Sequence, residues 1–175
     1  MRHQLPKLGL AVAAVLFVLD QLVKWWVTGP LGISGLGDVS EVVSIFDLRF
    51  VPNVGISLGL FAANSDVGRW LLVLVTGGIA AGVLVWLWRE PARGDQAALG
   101  LVLGGALGNI LDRIRLGYVV DYADLHFATP WNPEWRPFLV FNMADAAITI
   151  GVLILLARAL FTRETPAPEP ENVNA

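Results

Sequence analysis

Four stretches of this sequence are apolar over lengths that approach the roughly 20 residues needed to cross the hydrocarbon core of a bilayer. They run over Leu8–Val27, Trp70–Trp88, Ala97–Leu111 and Phe138–Phe161. No soluble fold has a use for four such blocks in 175 residues. Composition agrees: 55% of positions are apolar and 15% charged, with a mean hydropathy of +0.63. Soluble domains lie nearer 45–50% apolar and about 25% charged. A net charge of -3 gives no footprint for nucleic acid. The absence of cysteine excludes disulfides, thiolate metal sites, a cysteine nucleophile and lipidation on cysteine.

The first block has basic residues ahead of it, Arg2 and Lys7, as a cleaved signal peptide would. Asp20 and Lys24 inside the apolar run, its length, and the lack of a small-x-small cleavage site favour a retained span. An even number of spans puts both termini on one side. Arg2, Lys7, Arg89, Arg93, Arg158 and Arg163 then share a face, against Arg49, Arg69, Arg113, Arg115 and Arg136 on the other. The short loop holding Arg89 and Arg93, and the basic N-terminus, place both termini in the cytoplasm.

Gly100, Gly104 and Gly108 in the third block, and Gly78 and Gly82 in the second, are small residues four apart. Such spacing lets helix backbones approach closely in lipid, and ordinary packing within one bundle is the expected use. Between the first two spans, Thr28–Asp38 reads as a glycine-rich loop. Val42–Val51, rich in β-branched and aromatic residues, reads as a strand or hairpin on the membrane surface. Pro130–Pro137, with Trp131 and Trp135, reads as an interfacial loop, and the Pro/Glu/Asn-rich stretch 165–175 as a disordered tail after a single domain over 1–164.

The polar residues inside the spans carry the chemistry. An ionisable group at mid-membrane costs roughly 2.5–3.5 kcal/mol on insertion scales, so such groups face the bundle interior and mark functional sites. Asp20, Lys24, Asn109, Asp112, Arg113, Asn142 and Asp145 all fall at the same end of the bundle once the spans alternate in direction. The pairs Asp20/Lys24, Asn109/Arg113, Asn109/Asp112 and Asn142/Asp145 are three or four apart, which sets each pair on one helix face. Asp20 with Lys24 reads as an interhelix tie or a self-paired ion pair. Asp145 has no basic neighbour in its own span and resists that reading.

Asp121 and Asp124 add two carboxylates just past the third span. In an extended segment residues three apart point to opposite sides, so only one of them faces the site. Neither His3 nor His126 has a context that names a metal or a triad, and no metallohydrolase, serine-hydrolase or phosphate-loop pattern occurs. What remains is a carboxylate pair with amides and an arginine. Two nearby carboxyls share one proton, so that one activates water while the other donates to the carbonyl. The rival uses are a small transporter or proton relay, or a scaffold whose polar groups bind a partner helix. A relay would distribute polar residues through the membrane depth or show an inverted repeat, and neither pattern is visible.

The motifs Asp20-Gln21-x-x-Lys24, Asn53-x-Gly55, Gly104-Gly105-Ala-x-Gly108-Asn109-x-x-Asp112-Arg113, Val120-Asp121-Tyr122 and Phe141-Asn142-x-Ala144-Asp145 occur in this order. They closely resemble those of the lipoprotein signal peptidase (signal peptidase II) family. The resemblance implies an all-α polytopic membrane protein with four transmembrane helices and a small extracytoplasmic β-rich cradle between helices 1 and 2. It implies an aspartyl endopeptidase of the bacterial inner membrane, active near the outer face. Its substrates would be lipidated prolipoproteins, cut before the diacylglyceryl-modified cysteine.

By motif position Asp121 and Asp145 correspond to the catalytic dyad. Asn109, Arg113, Asn142, Asn53 and Gly55 correspond to positions that bind substrate or orient the dyad, and Asp20, Lys24 and Asp112 to supporting ones. The implied partners are prolipoproteins and membrane lipid, with no nucleic acid, no cofactor, no metal and a monomeric state. Two departures stand out. Ser57 and Leu58 replace the usual end of the second motif, and Tyr122 stands where Phe is common.

Overall fold

The computed structural model describes residues 5–55, 66–127, 131–132 and 135–161; Ser57, Leu58 and the tail 165–175 lie outside them. Its elements, in chain order, are α1 (Lys7–Thr28), β1 (Val39–Val43), β2 (Phe46–Asn53), α2 (Asp66–Arg89), α3 (Arg93–Leu116), β3 (Val119–Leu125) and α4 (Met143–Phe161). All four helices are long and apolar enough to cross a membrane.

Helix α3 is the centre of the bundle and packs against each of the other three helices. Its glycines allow this. A Cβ on Gly100 would come within 2.5 Å of Gly9 O, and one on Gly104 within 2.5 Å of Ala13 O, so this stripe is the seat of α1. On the α4 side, a Cβ on Gly105 would meet Ala144 O at 2.6 Å, and one on Gly151 would meet Ala98 O at 2.6 Å. Gly78 and Gly82 behave differently. A Cβ at either meets nothing within 4 Å, so this second stripe makes no close helix contact among the described residues. Helix α2 instead contributes Ala80 and Leu87 to a core shared with Ala13, Leu99 and Leu103.

Helices α2 and α3 each begin four residues before the sequence reading, at Asp66 and Arg93, and two boundaries near the polar residues also differ. Asp112-Arg113 does not end the third helix, which continues to Leu116 and stops at Gly117 in the left-handed conformation (φ 86°). The fourth helix starts at Met143, not at Phe138. Phe141 is taken up in an antiparallel bridge to Ala123, which holds the preceding chain extended.

Residues 39–53 form a hairpin whose two-residue turn follows Val43, paired with Phe46. A third strand, β3, from beyond α3, adds antiparallel to β2, giving the order β1-β2-β3. The cradle is therefore built from two separate connections, not from that between α1 and α2 alone. Leu48, Phe50, Val120 and Tyr122 bury against Val27 and Ile33, so the sheet is seated on the C-terminal end of α1.

Candidate active site

The sequence-predicted polar residues meet at the sheet end of the bundle. Lys24 Nζ bridges Asp20 and Asp112, each at 2.8 Å, and donates to Asn109 Oδ1 at 3.1 Å. Gln21 Nε2 adds a bond to Asp112 Oδ1 at 3.0 Å. The tie between α1 and α3 expected from Asp20 and Lys24 is present, and it is fully paired, as a buried charge requires. Asp112 Oδ2 also accepts the Val120 N–H at 3.3 Å, which fastens the start of β3 to α3.

The N-terminus of α4 is buried here, and its free N–H groups are all taken. Tyr122 Oη accepts from Met143 N–H at 3.2 Å, and Asp20 Oδ1 from Ala144 N–H at 3.1 Å. Asn142 Oδ1 accepts from Asp145 N–H at 2.9 Å, while Asp145 Oδ2 accepts from Asn142 N–H at 3.3 Å. This reciprocal pair has the form of a capping box. Asn142 and Asp145 are thus related as cap and first turn, not as neighbours on a helix face. The cap holds Asp145 at a helix N-terminus, where a carboxylate is favoured.

Asp121 reaches the same place from β3. Its Oδ1 accepts from Asn142 Nδ2 at 2.7 Å and its Oδ2 from Asn53 Nδ2 at 3.0 Å. Asp145 Oδ1 accepts from Asn109 Nδ2 at 2.8 Å. Asn109 Oδ1 already accepts from Lys24 and from Asn142 Nδ2 (3.2 Å), so its amide nitrogen has to face Asp145. Two asparagines thereby join the two carboxylates. Asp121 is 2% exposed, and burial pushes its carboxyl up to about 6, with the nearby Asp145 charge raising it too; the Asn53 and Asn142 hydrogen bonds pull the other way.

Arg113 donates through Nη1 to Asn109 O at 3.4 Å, and its buried Nε has no hydrogen-bond partner. Its charge acts on Asp145 and then on Asp121. Gly55 holds a positive φ of 106°, and a Cβ there would collide with Leu72 of α2. Its N–H donates to Asn53 Oδ1 at 2.9 Å, which orients the amide that reaches Asp121.

Asp124 lies elsewhere. It is buried, accepts from Arg136 and pairs with Arg49 Nε at 3.0 Å. His126 faces Asp47 at 3.7 Å, in this same cluster. Of the residues with no role assigned from sequence, Gln21 and Tyr122 contribute directly to the site. Their signal was present, since both fall inside the quoted motifs.

Helix geometry gives the depth. Asp20 is five residues before Trp25, so at 1.5 Å per residue the Asp20–Ala144 contact lies about 7–8 Å below the Trp25/Trp26 level. Trp25 and Trp26 are exposed, as an interfacial aromatic belt would be. At the far end Arg158 pairs with Asp95, and 13 residues separate Asp145 from Arg158, about 20 Å of helix. The start of α4, with Asp145, therefore stands at the end of the helices nearest the sheet, and Asp121 reaches it from β3.

Residues 12–161 match the family model described as Signal peptidase (SPase) II. The chain belongs to this family. It is 56% identical over 168 residues to the lipoprotein signal peptidase of Rhizorhabdus wittichii, covering 96% of this chain and 94% of that one. The lipoprotein signal peptidase of Sphingopyxis alaskensis is 55% identical, with 90% and 88% covered. A solved structure described as a bacterial membrane enzyme, determined by the in meso method at 1.9 Å, superposes with a TM-score of 0.72 at 26% identity, covering 89% and 94%. As a signal peptidase II this chain is a protease, and the transporter and scaffold readings fall away.

Proposed function

We propose that this signal peptidase II is an intramembrane aspartyl endopeptidase that removes signal peptides from prolipoproteins, cutting before the diacylglyceryl-modified cysteine. One observation carries the assignment of the dyad. Asp121 and Asp145, from separate elements, are joined through Asn142 and Asn109 at the N-terminus of α4. The ionised member of the pair takes a proton from water, and the water oxygen bonds to the scissile carbonyl carbon. The protonated member gives its proton to the carbonyl oxygen, leaving a neutral tetrahedral diol. The C–N bond then breaks, with the leaving nitrogen taking the proton held by the first carboxyl while one diol hydroxyl gives its proton to the second, which leaves the product acid and restores the dyad. The proton belongs to the pair, so the apparent titration is that of the dyad.

Arg113 Nε, buried and unpartnered, suits a substrate carbonyl or the developing oxyanion. Asn53, Gly55 and Asn142 orient Asp121, whereas Asp20, Lys24 and Asp112 tie the helices beneath it. The protein works as a monomer, with residues 1–164 as one membrane domain and 165–175 as a tail. Its termini are cytoplasmic and its sheet faces outward. A carboxylate pair below the lipid surface suits a substrate whose cleavage point is held there by its own acyl chains, each buried CH₂ being worth about 0.8 kcal/mol.

The test is a peptidase assay on the purified protein with one prolipoprotein peptide in diacylglyceryl and unlipidated forms. The lipidated form is cleaved far faster. Equal rates would remove the lipid from the recognition scheme, and no cleavage of either would remove the reaction. Turnover survives EDTA; its loss would call for a metal in place of the aspartyl mechanism.

A further inference from the structure

The connection between β3 and α4 takes no part in the chemistry above, yet its described residues are held by backbone hydrogen bonds. Phe127 N–H donates to Trp135 O at 2.8 Å, and Ala123 and Phe141 exchange bonds at 2.7 and 3.0 Å. Two antiparallel bridges thus set Trp135 beside Phe127 and Phe141 beside Ala123, so that the described residues here form a finger continuing from β3. One set of its side chains turns outward: Trp131 is 94% exposed and Leu139 91%, with Phe138 also exposed. Arg136 turns the opposite way. It donates to buried Asp124 and lies 3.7 Å from Asp47, within a cluster that Arg49 and His126 complete.

The height of the finger follows from the chain. Leu139 is four residues before Met143, a reach of at most about 14 Å. Met143 adjoins the Ala144–Asp20 contact, about 7–8 Å below the exposed Trp25/Trp26 belt. Leu139 can thus stand at most about 6–7 Å above the Trp25/Trp26 level, which does not carry it clear of a headgroup zone roughly 5–8 Å deep on each face. Large apolar side chains without a protein neighbour are stable at that level, and Trp prefers it.

We propose that the Phe127–Phe141 finger is a membrane anchor, seated in the interfacial lipid of the leaflet at the sheet end through Trp131, Phe138 and Leu139, and pinned to the sheet by Arg136 on Asp124 and Asp47. Both of its arms run into the site. Asp124 is three residues past Asp121, and Phe141 adjoins Asn142. The anchor therefore sets the level of the sheet, and with it of Asp121, against the bilayer. The occupant is bulk lipid, not the substrate's own acyl chains.

The experiment uses the full chain in phosphatidylcholine nanodiscs, with and without lipid brominated near the top of its acyl chains. The difference in fluorescence between the wild-type protein and Trp131→Phe isolates the Trp131 emission. Most of that emission is lost with brominated lipid, and little is lost with aqueous iodide. Quenching by iodide alone would place Trp131 in water, and quenching by neither would place it under protein; both overturn the anchor. Arg136→Gln, measured against R136Q/W131F, loses the lipid quenching while its helix content by circular dichroism stays unchanged. Undiminished quenching in Arg136→Gln would overturn the pin. Fluorescence does not depend on turnover, so this outcome and that of the peptidase assay are independent.

Discussion

Asn142 Nδ2 donates to Asp121 Oδ1 at 2.7 Å, while the backbone N–H of the same asparagine reaches Asp145 Oδ2 at 3.3 Å. One residue thus caps a helix and spans the two carboxylates. A change at Asn142 tests both jobs, and side chains of different length separate them.

Asn142→Ser keeps an N-cap oxygen but cannot reach Asp121, so thermal stability stays near wild type while kcat falls. Asn142→Ala loses the cap as well and costs about 1 kcal/mol of stability. In both, Asp121 loses a bond that favours its ionised form, so the acidic limb of the pH–rate profile moves to higher pH. Asn53→Ala moves that limb the same way. A limb that stays in place in all three variants would dissociate these amides from the titrating pair.

Asp121→Asn and Asp145→Asn each remove turnover, by about 10⁴-fold or more, as for members of a catalytic unit. The double variant is no worse than either single one. Asp124→Asn keeps activity, because Asp124 is engaged by Arg49 and Arg136 and makes no contact with the dyad. A dead Asp124→Asn beside an active Asp121→Asn, measured by peptide cleavage at equal protein level, would reverse the dyad assignment.

Stability depends on pH through the same group. The Asp121 carboxyl holds its proton up to about 6 in the folded protein, against 3.8 for an aspartate in water. Between those values the folded state binds more protons than the unfolded one, so stability falls as pH rises through the window. Thermal unfolding in detergent between pH 4 and 7 shows this slope in wild type. Asp121→Asn flattens it.

The two glycine stripes give opposite outcomes. Gly104→Ala forces a Cβ to 2.5 Å from Ala13 O, a backbone atom, and costs about 1–3 kcal/mol as overpacking does. Gly82→Ala enters open space and is neutral or slightly stabilising by helix propensity. Thermal unfolding of both variants in detergent checks the contrast.

Orientation is checked with a reporter active only outside the cytoplasm. Fused after Trp131 it is active; fused after Arg93 or at the C-terminus it is silent. Activity from the Arg93 fusion would invert the proposed topology.

The sequence alone determined the four spans and the gathering of their polar residues at one end of the bundle, because helical periodicity is local and a bilayer tolerates few alternatives for a charge; it narrowed Asp121 and Asp124 to one, and the family resemblance favoured Asp121. Spacing could not say that Asn142 is a cap rather than a face residue. That depended on Phe141 being drawn into a bridge with Ala123, 18 residues back along the chain, which delays the helix until Met143. Nor could it distinguish the Gly104 stripe from the Gly82 stripe, since identical spacing is compatible with a helix neighbour or with lipid. Only the tertiary structure decided which side-chain amide each carboxylate of the Asp121–Asp145 pair receives. Those bonds join residues up to 68 positions apart, Asn53 to Asp121 among them, and partners so distant are chosen by how the sheet and α4 close over the end of α3.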